Sequence, residues 1–252
     1  MLNIVVPMAG HGSRFRKAGY ELPKPLIPVA GKPMIALVIG NLRPACDHRF
    51  IFICLRDHAT SYQVDTQLKA WCPNCEIVFV DQVTEGAACT VLLAKDLINN
   101  EDPLMIANSD QWVDIDINDY LQFMDDQGAD GLIMTMTADD PKWSFVGFDA
   151  EGKISQVVEK QVVSNEATVG IYNYRQGRFF VEAAESMIAQ EIRVNGEFYV
   201  APAYNEMIPQ GKKLACYNIG SEAQGMYGLG IPADLELFQS LPVCAKAVAA
   251  AA

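Results

Sequence analysis

Pro7-Met8-Ala9-Gly10-His11-Gly12-Ser13-Arg14-Phe15 follows a short apolar run, Leu2-Asn3-Ile4-Val5-Val6. The run reads as a buried strand. A strand that ends in a glycine-rich loop can cradle an anion. With no side chain at Gly10 or Gly12, backbone N–H groups can approach a phosphate closely. Ser13 and Arg14 add a hydroxyl and a guanidinium. Lys24, between Pro23 and Pro25, adds a point charge on a backbone held extended. The stretch lacks the third glycine of the dinucleotide fingerprint, and no glycine-rich segment ends in Gly-Lys-Ser/Thr, so it is neither that motif nor a P-loop. A plain strand-to-helix turn is the bland alternative. Arg14 and Lys24 together favour phosphate.

Outward from this loop, apolar runs alternate with helical patterns. Met34–Leu42 reads as a helix after Pro33, Phe50–Leu55 as a strand, Asp57–Trp71 as a mostly polar helix and Glu76–Val80 as the third strand. A helix is expected over Ala88–Leu97, and Pro103–Ala107 reads as the fourth strand. Such alternation predicts an α/β fold: a Rossmann-like, doubly wound, mixed but mainly parallel sheet in three α/β/α layers. Ligands then lie beyond the carboxyl ends of the strands, where the opening loop sits. Further on, Asp119–Gln127 reads as a helix and Gly131–Thr137 as a central strand. A hairpin is expected around Trp143–Ile154, then helices over Ala201–Ile208 and Pro232–Ser240. Residues 241–252 form an alanine-rich tail, expected to be a frayed helix.

Composition narrows the possibilities. The chain has 252 residues, half of them hydrophobic, with a formal charge of −12. That charge argues against a nucleic-acid or anionic-membrane binder. Residues 1–32 nevertheless carry Arg14, Arg16, Lys17, Lys24 and Lys32 against Glu21 alone, which suits a small polyphosphate. No stretch approaches the ~20 apolar residues of a membrane span, and the N-terminus does not read as a signal peptide. The seven scattered cysteines fit a reducing, cytoplasmic setting. Cys72-Pro73-Asn74-Cys75 has the spacing of a zinc or redox pair, but with no second pair or nearby His it reads as a loop.

The opening residues, with Pro-Lys-Pro-Leu-Ile-Pro-Val-Ala-Gly-Lys-Pro-Met-Ile at 23–35, resemble the nucleotidylyltransferases, or sugar-nucleotide pyrophosphorylases. The resemblance extends to about residue 240 and implies one catalytic domain over 1–240. Its nucleotide-binding part would span about 1–130 and its acceptor-binding part about 131–240. It assigns Met8, Ala9, Gly10, Gly12, Ser13, Arg14, Lys24 and Ser109 to the nucleotide, and Gln82, Gly86 and Ala87 to the nucleobase, where on local sequence a tight strand-to-helix turn is the alternative. Asp110, in Asn108-Ser109-Asp110, matches a metal-binding Asp. A strand-end Asp suits Mg²⁺, although capping the next helix is the competing role. The acceptor side would comprise Glu159, Lys160, Val169, Gly170 and Glu197, where for Glu159 and Lys160 a surface ion pair is the alternative. Where family members often carry a second metal-binding Asp, this chain has Gly228, so phosphate oxygens or another acid such as Glu197 would have to serve.

The reaction so implied joins an NTP to a small phosphorylated acceptor, by default a sugar 1-phosphate, and releases pyrophosphate. Arg14, Lys24 and Asp110 would be catalytic and Mg²⁺ the cofactor. The base, the acceptor and a homo-oligomeric state stay open. The Asn-Ser-Asp and Tyr-Gly-Leu-Gly variants resemble a capsule and lipopolysaccharide branch whose members include cytidylyltransferases for choline phosphate. Trp112, Trp143, Tyr172 and Tyr199 could cage a quaternary ammonium or simply pack the core. The other rival, a glycosyltransferase, would use Asp114-Ile115-Asp116, which otherwise reads as helix cap and surface.

Overall fold

Alternate residues of the first strand, β1 (Leu2–Pro7), point to opposite faces of a sheet and enter different cores. Ile4 and Val6 join one cluster and Val5 the other. The next strand, β2 (His48–Leu55), divides likewise: Phe50, Phe52 and Cys54 go to one side, Ile51, Ile53 and Leu55 to the other. A sheet apolar on both faces must be covered by helices on both. The computed structural model, which describes residues 1–251, has that three-layer arrangement.

β3 (Glu76–Val80) and β4 (Leu104–Ala107) complete a parallel block in the order β3-β2-β1-β4. β5 (Gln111–Val113), β6 (Gly131–Thr137), β7 (Ser144–Phe148), β8 (Ile154–Glu159), β9 (Glu166–Tyr174), β10 (Leu214–Glu222) and β11 (Gly225–Gly228) build the other half. The sheet continues β4-β9-β6-β10-β11-β5, with the β7–β8 hairpin attached to β9. β9 runs antiparallel to both β4 and β6 and so joins the halves. The mainly parallel, doubly wound expectation holds. No helix among the described residues is long and apolar enough to cross a membrane.

Some local expectations change. The polar helix after β2 is two helices, Arg56–Tyr62 and Val64–Trp71, separated at Gln63, whose φ of 53° no regular helix allows. The segment after β3 is likewise two short helices, α5 (Ala87–Leu92) and Lys95–Ile98. The helix expected at 201–208 is a 3₁₀ segment, Ala201–Glu206. Nor is the alanine-rich end frayed. Val243–Ala250 is a helix with Cys244 and Ala247 buried, packed against α2 (Met34–Leu42). A Cβ on Gly40 of α2 would come within 2.1 Å of the Ala250 carbonyl oxygen, so the small residues permit this contact. With α9 (Pro232–Ser240), it closes a third core around Phe15, Trp112 and Phe238.

Candidate active site

Beyond the carboxyl ends of β1 and β4 the surface opens into two confluent cavities, of about 300 and 350 Å³, which share Ala87, Asn108 and Asp110. The first is lined by the opening loop. Met8, Ala9 and Gly10 of that loop line it together with Gly86, Ala87, Lys24, Ser109 and Asp110. The loop then enters α1 (Ser13–Lys17), anchored by Phe15, which is buried edge-on against Tyr20 at 5.1 Å. Arg14 is thereby held at the surface, where it lines the second cavity. Gly12 and Ser13 line neither cavity. Gly12 acts as a spacer, since a Cβ on it would lie 3.1 Å from the Lys24 Cβ.

Lys24 and Asp110 meet directly, Nζ to Oδ2 at 2.7 Å, both side chains about three-quarters buried. Asp110 is fixed by its neighbours. Its carbonyl accepts from Leu229 N at 2.8 Å, and Asn108 N donates to the Gly170 carbonyl at 3.0 Å. Facing Asp110 across the second cavity are Glu159, Val169, Gly170 and Asp234. Burial pushes the Glu159 carboxyl above its usual range, opposed by the hydroxyl that Ser144 donates to it. Burial also raises Asp234, and the nearby charges of Glu222 and Asp110 add to the effect.

Several expected residues sit elsewhere. Lys160 lines neither cavity: it lies just past the end of β8 at a left-handed φ of 58°, which turns the chain, and its Nζ donates to the Tyr199 hydroxyl at 2.8 Å. Gln82 is exposed on the turn leaving β3, and Val83 and Thr84 take the wall instead. Glu197 lies in the first cavity, on the nucleotide side, rather than with the acceptor residues. A strap carries it there. Phe198 N donates to the Glu85 carbonyl at 2.9 Å and Ala88 N to the Phe198 carbonyl at 3.0 Å. The Arg193 guanidinium stacks 4.0 Å from the Phe198 ring centroid and pairs with Glu85 at 2.6 Å. This close passage needs Gly86, at φ 140°, because a Cβ there would lie 2.4 Å from the Phe198 carbonyl oxygen.

Sequence reasoning missed Thr84, Thr90, Gln111, Ser144, Thr168 and Asp234. Asp234 alone carried a signal, an acid just after Pro232 beside the Gly228 anomaly. Its Oδ2 lies 3.2 Å from where a Gly228 Cβ would be, so it fills the space that the glycine leaves.

The rival readings lose their geometry. Asp116 caps the helix Ile117–Asp126 through Asn118 N at 2.8 Å, and Asp114 pairs with Lys246; neither lines a cavity. Of the proposed aromatic cage, Trp112 belongs to the third core, and Tyr172 is buried with its hydroxyl on Thr168. The Trp143 and Tyr199 rings already carry the ammonium groups of Lys142 at 4.8 Å and Lys160 at 5.0 Å.

Among the described residues no group of three or more His, Cys, Asp or Glu could hold a metal ion. Mg²⁺ does not need one, since it takes one or two carboxylates and completes its shell with water and phosphate oxygens. Asp110 fits that donor chemistry. Gly230 leaves space for it, since a Cβ there would lie 2.7 Å from Asp110 Oδ2.

Comparison with known proteins agrees with this geometry. The mannose-1-phosphate guanylyltransferase catalytic subunit beta of Drosophila pseudoobscura pseudoobscura is 28% identical over 174 residues, 67% of this chain and 46% of that protein. The bifunctional protein GlmU of Methanococcus maripaludis is 23% identical over 217 residues, 84% of this chain and 48% of that protein. The chain thus spans about half the length of the curated relatives it matches. The crystal structure of a nucleoside-diphosphate-sugar pyrophosphorylase from Vibrio cholerae RC9 superposes with a TM-score of 0.81 at 26% identity, covering 94% of this chain and all of that one. The sequence model described as nucleotidyl transferase matches residues 4–207, and the chain belongs to that family.

Proposed function

We propose that this protein transfers a nucleotidyl group from an NTP to a phosphorylated acceptor, a sugar 1-phosphate, yielding a nucleotide-diphospho-sugar and pyrophosphate. The observation that carries the reading is the Lys24–Asp110 pair at the junction of two confluent cavities, one walled by the glycine loop and one by Glu159, Val169 and Gly170. A phosphate oxygen of the acceptor attacks the α-phosphorus, the bond to the β-phosphate bridging oxygen breaks, and pyrophosphate departs with that electron pair. The attacking oxygen is already anionic, so no side-chain nucleophile is required. What the protein supplies is alignment and positive charge.

Each residue then has a task. Backbone groups from Met8 to Gly10 hold the triphosphate, while Gly86 and Ala87 let the base lie against bare backbone. Lys24 offsets the charge gathering on the leaving pyrophosphate, and Arg14 serves the reacting phosphates from the acceptor side. Asp110 would hold Mg²⁺, which when bound supplies further charge neutralisation to the triphosphate. Glu159 receives an acceptor hydroxyl. The names of the relatives, a mannose-1-phosphate guanylyltransferase and a nucleoside-diphosphate-sugar pyrophosphorylase, support the sugar 1-phosphate. The occupied faces of Trp143 and Tyr199 disfavour choline phosphate.

The test is pyrophosphate release, coupled to pyrophosphatase and phosphate detection, with Mg²⁺, each common NTP and a panel of phosphorylated acceptors. Turnover with at least one NTP and sugar 1-phosphate pair is expected. Nucleotide binding without pyrophosphate release across the panel would overturn the reading.

A further inference from the structure

Two side chains that line the acceptor-side cavity each carry a buried N–H that no protein group satisfies. Gln111 is 8% exposed, lines this cavity, and its Nε2 has no hydrogen-bond partner. The indole Nε1 of Trp143, on the same cavity, is also buried and unpartnered. The other buried side-chain atoms without partners, on Asn3, His58, Trp112, Asn173 and Tyr174, belong to residues that line neither cavity. A buried donor left unpaired costs about 1–3 kcal/mol, and because neither N–H is open to the cavity as it stands, a ligand completes them after a small rotation of the side chain toward it.

The placement of Gln111 is specific. It directly follows Asp110, yet Asp110 borders both cavities and Gln111 only the acceptor side. Its amide lies over the bare Cα of Gly170: a Cβ there would come within 2.8 Å of Gln111 Oε1 and 2.1 Å of Asn108 Nδ2. Gly170, at φ 81°, sits where β9 shifts register against β6, which opens the strand at this point. The terminal torsion of a glutamine is broad, so the amide can turn either its NH₂ or its carbonyl to a ligand. Nearby hydroxyls are already engaged, Ser144 with Glu159 and Thr168 with Tyr172.

We propose that the Gln111 amide, together with the Trp143 indole N–H, determines acceptor specificity by hydrogen-bonding oxygen atoms on the non-reacting part of the acceptor. The site then selects a hydroxyl-bearing phosphate and rejects one whose remaining group is apolar or a quaternary ammonium. This rests on the nucleotidyl-transfer reading and adds the residues that choose among acceptors. Losing a hydrogen bond to a site built for it costs more than losing a methylene from an apolar pocket, because a protein group is left buried and unpaired.

The experiment compares wild type, Gln111→Leu and Trp143→Phe by steady-state pyrophosphate release, using sugar 1-phosphates that support turnover and their singly deoxygenated analogues. Gln111→Leu should lower kcat/KM for the acceptor by ~10- to 100-fold and leave KM for the NTP within about twofold. On the analogue lacking the partner oxygen, wild type and Gln111→Leu should become equal, an outcome that a merely structural role would not give. Trp143→Phe keeps the ring and should show a smaller loss of the same kind. If Gln111→Leu folds poorly, Gln111→Met, which keeps the length and neutrality without the amide, should show the same acceptor-selective loss. Equal losses for acceptor and NTP, or unchanged acceptor kinetics in both variants, would overturn the assignment. If wild type releases no pyrophosphate with any acceptor, the reaction itself falls, and this contact with it.

Discussion

The two cavities meet at Asn108 and Asp110 but are built by opposite means. The nucleotide-side wall comes from consecutive residues at strand ends, Met8-Ala9-Gly10 after β1 and Gly86-Ala87 after β3, and offers mainly backbone and small side chains. The acceptor-side wall draws on more widely separated segments, and the side chains of Gln111, Ser144, Glu159, Thr168 and Asp234 reach it beside short runs such as Thr168-Val169-Gly170. A triphosphate is common to every NTP, so backbone amides at fixed positions suffice to bind it. Discriminating one acceptor from another needs side chains aimed individually. The difference teaches that the half shared by many substrates is written locally, and the half that selects is written in tertiary structure.

The largest effect expected from this contrast is at the seam. Lys24→Ala removes the cation that touches Asp110, and we expect a loss of at least ~100-fold in kcat/KM, the order found when one preorganised charge is taken from an active site. With Lys24 in its proposed role on the leaving group, kcat should fall for every acceptor by a similar factor, whereas Gln111→Leu should be acceptor-selective. Stability should fall as well, since Asp110, about three-quarters buried, is left without its cation. Near-normal pyrophosphate release would remove Lys24 from the mechanism.

Two glycines sharpen the comparison within the nucleotide side. Gly86→Ala places a Cβ 2.4–2.5 Å from backbone atoms of Phe198 at a φ of 140°. It should cost about 1–3 kcal/mol or more, visible as a lower Tm, and should loosen the strap that carries Glu197 and Tyr199. Gly10→Ala meets nothing within 4 Å, so Tm should not move. If an anion lies against that backbone, KM for the NTP should nevertheless rise by roughly 10- to 100-fold, the scale on which small misplacements act. A Gly10→Ala enzyme with unchanged NTP kinetics would show that the loop is only a turn.

This division also explains what was legible in the sequence. Short β-branched and apolar runs bounded by turn residues read as strands whether they lie at the sheet edge, as Glu76–Val80 does, or in its centre, as Gly131–Thr137 does, so both are legible with the right ends, as are the helices opening after Pro33 and at Pro232. The break at Gln63 was hidden because a left-handed glutamine carries no compositional mark. That the terminal helix packs rather than frays is hidden because alanine periodicity does not reveal that Gly40 offers it a seat. Of the site, Met8, Ala9, Gly10, Lys24, Ser109 and Asp110 follow from motifs at strand ends, where the chain direction fixes which way the loop faces. Gln111 and Thr168 could not be read locally. They become neighbours only because β9 crosses back between β4 and β6, an antiparallel insertion that pairing, not sequence spacing, decides.

The smallest effect tests whether the acceptor side gives up stability for function. Glu159 is a carboxyl whose pKa is raised above its ordinary value of 4.5, mainly by burial and further by the charge of Glu197, against the Ser144 hydrogen bond and Lys160. A raised carboxyl binds its proton more tightly in the folded state. Its contribution therefore favours folding below the ordinary pKa, declines as pH rises through the raised one, and stays at its least favourable above both. Glu159→Gln removes that ionisation with little change of shape. Its Tm relative to wild type should improve between acid and about pH 8, while acceptor kcat/KM falls because an amide replaces the carboxylate that would receive a hydroxyl. A Glu159→Gln protein whose relative Tm worsens with rising pH would mean that Ser144 and Lys160 stabilise the ionised Glu159 by more than burial penalises it.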